Sequence, residues 1–279
     1  MLGKLYGQEK NLTTSAIARM NLFLHGAEDF HIERGDTLRR PAFHSGDALA
    51  VFDCVIANPP FSLEKWGEEV WSSDPYGRNF AGVPPSRSGD FAWVQHMIMS
   101  MSDRAGRMAV VLPHGVLFRM SREGKIRRKL LEMDMLEAVI GLGQNIFYGT
   151  GLAPCILVFR KHKAEARRQH ILFMDASGEF KSGRAQNELL PEHVDRIHAL
   201  YEGWQDEAGL CRVVSLDEVR ENDFNLNIPR YIEPVIEEDT VSLEQAVADL
   251  RSSLQAAWAA EDRLRELLRR EGLLEPEQP

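Results

Sequence analysis

A chain of 279 residues, 44% of them apolar, is long enough for one large domain with appendages and has the composition of a packed globular core. No run approaches the ~20 apolar residues of a membrane span, and the opening MLGKLYGQEKNLTT lacks the apolar core of a secretory signal. A formal charge of −9 argues against a protein that grips nucleic acid alone, because phosphate contacts need clustered Lys and Arg.

Short apolar runs then alternate with helical patterns. KLYGQE reads as a strand end. NLTTSAIARMNLFLHG carries Ile17, Met20 and Leu24 at helical spacing and stops at Gly26, so it reads as a helix. DFHIERGDT and FDCVIANPP are strands followed by turn residues. The stretch 71–89, WSSDPYGRNFAGVPPSRSG, is rich in Gly, Pro and Ser and reads as a long functional or mobile loop. GDFAWVQHMIMSMS is helical, GRMAVVLPHG a buried strand, and SREGKIRRKLLEM a helix. LEAVIGLG, APCILVFRKH and QHILFMDAS are strands. The alternation predicts a largely parallel α/β sheet covered on both faces. The last two strands follow without a helix between them, which predicts an antiparallel hairpin at the sheet's end. From 241 onward Val241, Leu243, Val247, Leu250, Leu254, Ala257, Leu264 and Leu268 recur at 4-3 spacing, interrupted at Glu261, and Ser242 with Gln245 has capping-box spacing. This long amphipathic helix packs on its own domain or docks a partner helix.

Two basic runs, GKIRRK (124–129) and RKHKAEARR (160–168), are each readable as a nucleic-acid face or as a solvated helix face or turn. Cys54, Cys155 and Cys211 are far apart with no C-x-x-C, as expected of reduced thiols in a cytoplasmic protein rather than a disulfide frame or zinc site.

The informative stretch is FDCVIANPPFSLEKWG (52–67). Two prolines remove two backbone donors, and Pro59 holds Asn58 extended, so the chain stops pairing and turns at a strand's carboxyl end. In open α/β sheets ligands bind there. The Asn58 side-chain oxygen and the Pro59 carbonyl offer two neutral acceptors, and Phe61 offers a stacking face. That set suits the exocyclic amine of a nucleobase extruded from a duplex. Two acceptors on its hydrogens favour the pyramidal, electron-rich nitrogen needed for attack. The plainer alternative is a tight turn before a helix. Asp53 reads as structural. His114, in LPHG, is a candidate base or a strand-end turn residue, and the chemistry needs no base, because the amine can lose its proton after attack.

YGQEKNLTTSAIARMNLFLHG, GDTLRRP, FDCVIANPPFS, GRMAVVLPHGVLFR, EGKIRRKLLE, NIFYGTGLAPCILVF, NEL and NDFNLNIPRYI together resemble the modification subunit of type I restriction-modification systems, a family of adenine-specific DNA methyltransferases. The resemblance implies a Rossmann-like α/β methyltransferase sheet. It also implies S-adenosylmethionine as cofactor, DNA as substrate, and a specificity subunit and a restriction subunit as partners. Glu9 matches the position that binds the cofactor ribose hydroxyls, and Asp36, with Thr37 beside it, the position that contacts its adenine. Asn58, Pro59, Pro60 and Phe61 match the catalytic motif. No metal site is implied. Residues 1–175 would form a partial catalytic domain, 176–240 a family-specific extension, and 241–279 the amphipathic helix and tail.

The chain departs from the family where it matters. The acidic-Gly-x-Gly loop after the first strand, and the helical domain before it, find no counterpart in residues 1–279. The family's first strand lies at the sheet's centre, so its absence predicts two open, apolar edges and a truncated or split subunit. A further departure, GLGQNIF in place of a proline-containing turn, is minor. Three readings stand: an incomplete adenine methyltransferase, a non-catalytic remnant or scaffold, and a protein-glutamine methyltransferase, whose Asn-Pro-Pro motif usually ends in Tyr.

Overall fold

The computed structural model describes residues 5–233 and 242–273. The chain divides into two units, 1–234 and 235–279.

The front of the first unit is small and thinly covered. β1 (Leu5–Glu9) and β2 (Phe30–Arg34) pair in parallel, Glu9 opposite Arg34, with α1 (Leu12–Leu24) between them in the chain. The Asn11 side chain accepts the Thr14 N–H and starts α1. Gly26, at φ +74°, lets the chain leave it in a left-handed turn. The apolar stripe expected to be packed is instead open: Ile17, Met20 and Leu24 are 62%, 59% and 74% exposed. A short hairpin of β3 (His44–Ser45) and β4 (Ala48–Leu49) leads into β5 (Cys54–Ala57). Tyr6, Phe43 and Phe52 pack ring against ring, with Tyr6 5.3 Å and 5.2 Å from the other two, and tie the front pair to the start of β5.

The rest of the unit is densely packed. It runs through α2 (Glu68–Trp71), α3 (Asp90–Met99), β6 (Arg107–Pro113), α4 (Gly115–Phe118), α5 (Ser121–Glu132), β7 (Leu136–Leu142), β8 (Pro154–Arg160), β9 (His170–Ala176), α6 (Pro191–Gly203), β10 (Cys211–Ser215) and α7 (Leu216–Glu221). Six strands form one sheet in the order β10-β9-β7-β8-β6-β5. β7 is buried at every position, as a central strand covered on both faces should be. On one face, Phe91, Val94, Ile126 and Leu130 from α3 and α5 join Tyr231 and Ile232; on the other, Leu142, Leu172 and Met174 meet Ile197 and Leu200 of α6. The NDFNLNIPRYI motif folds back beneath the sheet. There Tyr231 stacks on Phe173 at 4.1 Å, and Phe224 O accepts from the buried Arg127 Nε at 2.7 Å. Glu137, buried within β7, is held by the Tyr201 hydroxyl, Arg160 and Arg167. Burial alone would push its carboxyl up, but these partners outweigh it and hold the carboxyl below its usual range.

The sheet does end in an antiparallel pair, with one correction to its membership. β8 and β9 do not pair with each other. β8 inserts antiparallel between β6 and β7, β9 runs parallel to β7, and the terminal antiparallel pair is β9 with β10. Among the described residues nothing pairs with the second edge of β1 or of β5, the two edges that a missing first strand would leave. Ile56 on β5 is 77% exposed.

In the second unit, α8 (Leu243–Arg270) is one continuous helix, capped by the Ser242 hydroxyl accepting the Gln245 N–H at 3.2 Å. None of its residues is buried. The expected stripe is present, with Trp258 as an unforeseen member. Val241 lies outside the described residues.

Candidate active site

β1, β2 and β5 deliver their carboxyl ends to one cavity of about 530 Å³. Glu9, Lys10, Asp36, Thr37, Pro60 and Trp93 are among its lining. The three residues assigned to cofactor binding therefore come together, and one residue of the Asn-Pro-Pro-Phe motif stands with them. Glu9 Oε1 accepts the Asn11 N–H at 2.6 Å, which orients the carboxylate at the strand end. Asp36 Oδ1 accepts the Arg39 N–H at 3.2 Å, and Oδ2 pairs with Lys10 Nζ at 2.9 Å.

Asn58, Pro59 and Phe61 adjoin the cavity along the chain. Asn58 is exposed and Pro59 buried. The Asn58 side chain and the Pro59 carbonyl take part in no hydrogen bond among the described residues, so both acceptors are free. Phe61 is half-buried, and its ring meets Phe147 edge to face, centroids 6.5 Å apart at 84°. Phe147 belongs to the NIFYGTG stretch, in which the sequence alone assigns it no role. An aromatic pair, Phe147-Tyr148, in a glycine-rich connection was the available signal, and Tyr148 is 94% exposed. His114 Nε2 donates to Pro154 O at 3.0 Å and ties the end of β6 to the start of β8, the strand-end role expected as the alternative to a base. Asp53 is structural, as expected, accepting from Ser102 Oγ at 3.0 Å.

The 71–89 segment is not a loose loop. Arg78 and Asp74, each 1% exposed at the side chain, pair at 2.6 Å. Arg78 also donates to Thr37 O at 3.1 Å and Leu38 O at 3.0 Å, and stacks on Trp71. The segment thus buttresses the Asp36–Thr37 turn from behind. His96 lies against the same pair. Its Nδ1 is enclosed without a partner although the ring edge is partly exposed, and burial, with Arg78 nearby, lowers its pKa to about 3.

The two basic runs separate. In 160–168, Arg160 and Arg167 bind Glu137, Lys161 binds Asp103 and Lys163 binds Asp134, so this run is structural. In 124–129, Lys125, Arg128 and Lys129 are exposed while Ile126 and Arg127 are buried. Lys125 and Lys129 line a second, larger cavity of about 850 Å³ together with Lys65, Arg122, Glu68 and Glu69. The three cysteines are free; Cys54 is exposed, and Cys155 and Cys211 are buried.

The N-6 DNA Methylase family model matches residues 2–240. The Type I restriction enzyme MjaVII methylase subunit of Methanocaldococcus jannaschii is 38% identical over 258 residues, covering 88% of this chain and 44% of the relative. The HindI methylase subunit of Haemophilus influenzae is 30% identical over 265 residues, 91% of this chain and 58% of the relative. Among solved structures, the type I restriction-modification methyltransferase subunit of Streptococcus thermophilus gives a TM-score of 0.76 at 36% identity, over 82% of this chain and 48% of that one. The EcoKI M protein shares the fold, with a TM-score of 0.61 at 21% identity, over 94% of this chain and 60% of that one. The chain spans about half the length of the curated relatives it matches. With the match running from the strand that bears Glu9 past the buried Tyr231, the chain belongs to the N-6 DNA methylase family.

Proposed function

We propose that this chain is the catalytic and C-terminal part of the modification subunit of a type I restriction-modification enzyme, and that it serves methyl transfer from S-adenosylmethionine to the exocyclic amine of adenine in DNA. The observation that carries the reading is the convergence of Glu9, Asp36, Thr37 and Pro60 on one cavity, beside the two free acceptors of Asn58 and Pro59.

The donor set fits the nucleoside end of the cofactor. A carboxylate at a strand end, Glu9, is a bidentate acceptor for a ribose diol, and the cavity lies in the size range of ligand pockets. When bound, S-adenosylmethionine supplies an electrophilic methyl group. Asn58 and the Pro59 carbonyl hold the hydrogens of the amine so that its lone pair points outward. Phe61 fixes the plane of the base. The nitrogen would take the methyl carbon as its bond to the cofactor's sulfonium sulfur breaks and leaves a neutral thioether, and would then release one proton to water, so no side chain of the site is needed to take it.

The cradle is half built. Gly35 is the one glycine lining the cavity among the described residues. We infer that polypeptide outside residues 1–279 adds a strand between the open edges of β1 and β5 and brings the glycine-rich loop. The exposed Ile56 and the exposed stripe of α1 are the surfaces it would cover. Calorimetric titration with S-adenosylmethionine and radiolabelled methyl transfer to DNA test this. The chain alone should methylate at least ~100-fold more slowly than the chain completed by that polypeptide, since small misplacement of reacting groups costs about that much. Equal turnover by the chain alone would overturn the incompleteness; cofactor binding without turnover in the completed protein would favour a scaffold.

The unpartnered stripe of α8 is read as a docking surface for helices of the specificity subunit, through which the restriction subunit and the DNA target join a cytoplasmic complex. Among the described residues no helix is long and apolar enough to cross a membrane. Deleting 242–279 should abolish co-purification with the specificity subunit; unchanged association would remove this role.

A further inference from the structure

The residue after the catalytic motif, Ser62, sits in the left-handed region at φ +50°, a conformation that L residues other than glycine rarely hold without outside restraint. One group restrains it. Asp90, the first residue of α3 and fully buried, accepts the Ser62 N–H on Oδ1 at 2.8 Å. Its other oxygen accepts Arg119 Nη2 at 2.5 Å and Ser88 Oγ at 3.1 Å. Arg119 in turn donates through Nε to Glu123 Oε2 at 2.6 Å. Burial works against the charge on Arg119, but Glu123 and Asp90 outweigh it and raise its pKa, so the cation is permanent. Its guanidinium lies over Gly115: a Cβ there would stand 2.6 Å from Arg119 Nη1.

We propose that Asp90, fixed by Arg119, is a positioning residue that holds the Ser62 turn and thereby sets where the Phe61 ring and the Asn58–Pro60 acceptors stand. This rests on the methyl-transfer reading above. Asp90 is not among the residues that line the cavity; it acts through one backbone N–H. Asp90→Asn keeps an acceptor of the same shape but removes the charge that locks Arg119, and Arg119 keeps Glu123 as its partner, so the fold survives the change. Gly115→Ala displaces Arg119 while leaving every charge in place.

The experiment uses the chain in its assembled methyltransferase and has two arms. Hydrogen exchange of the Ser62 amide should accelerate about tenfold in Asp90→Asn and less in Gly115→Ala, with amides of β7 unchanged. Single-turnover methylation of DNA should fall about tenfold or more in Asp90→Asn, with the affinity for S-adenosylmethionine within twofold of the parent. Unchanged Ser62 exchange, or faster exchange with an unchanged rate, would overturn the proposal. So would a rate loss matched by equal losses of cofactor affinity and thermal stability. A parent enzyme that binds cofactor but methylates no DNA would bring down the methyl-transfer reading instead, and the exchange arm would still decide whether Asp90 holds the turn.

Discussion

The two ends of the main unit both carry apolar residues, and these meet opposite fates. β7 buries all seven of its residues, and Phe173 on β9 is fully enclosed against Tyr231. Residues 5–34 at the front, β1 through β2, bury a single side chain, Ser15 of α1, and leave Ile17, Met20, Phe23 and Leu24 open. The front strands LYGQE and FHIER are more polar than LEAVIGL, but the open side chains of α1 differ from buried ones in their neighbours. An apolar stripe tells which face prefers to leave water; whether that happens depends on a surface elsewhere that accepts it. The front region leaves its apolar residues open to whatever surface covers them, which under the proposed function is the added strand.

That contrast can be broken by mutation. Phe173→Ala should destabilise the chain by roughly 3–5 kcal/mol, the usual cost of an emptied aromatic site. Phe23→Ala, at a residue 71% exposed, should change stability by less than ~0.5 kcal/mol. Denaturant melts of both variants measure the pair, and a Phe23 cost approaching that of Phe173 would mean that the front is already covered. Next in size, Phe61→Ala in the completed enzyme should lower methylation by about 1–3 kcal/mol of stacking energy, with cofactor binding nearly intact. Equal activity would remove Phe61 from the site.

The packed half holds a histidine whose titration is moved by its surroundings. His96 has a folded pKa of about 3 against an ordinary 6.5, so the unfolded chain binds a proton that the folded one refuses. Its contribution is complete above about pH 6.5 and is lost progressively down to about pH 3. Stability should fall by up to ~1.4 kcal/mol per pH unit within that window. Melts from pH 7 to 5, above most carboxylate titrations, should show the slope in the parent and lose it in His96→Gln. The smallest effect concerns a thiol. Cys54, exposed on the open edge of β5, should react with a maleimide well before Cys155, whose burial pushes its pKa up. Completion of the sheet should slow the labelling of Cys54 severalfold.

Much of the site was legible because its signals are local. Two prolines after an apolar strand announce a strand-end turn; Glu9 and Asp36 came from the family resemblance, and both stand after strands that end at the same cavity. What escaped depends on long-range pairing. The insertion of β8 between β6 and β7 cannot be read from adjacency, because neighbours in sequence need not be neighbours in the sheet. β10 escapes a pattern reading because CRVVS is only five residues long and lacks a clear alternation. Phe147 reaches Phe61 across 86 positions, a contact that no periodicity encodes. Asp90 lies in the predicted helix GDFAWVQHMIMSMS, and its contacts with Ser62 and Arg119, 28 and 29 positions away, follow no local pattern.

The buried Arg78–Asp74 pair has a practical meaning for anyone cutting this protein. A stretch rich in glycine, proline and serine invites a protease or a genetic insertion, and the usual choice of a permissive site would fall between 71 and 89. Here that stretch is a keystone: the guanidinium clasps the carbonyls of Thr37 and Leu38, so a nick at its anchors would loosen the Asp36–Thr37 turn beside the cavity. Permissive positions should be sought instead around Gly151 and Gly178, where the backbone is open and nothing crowds it.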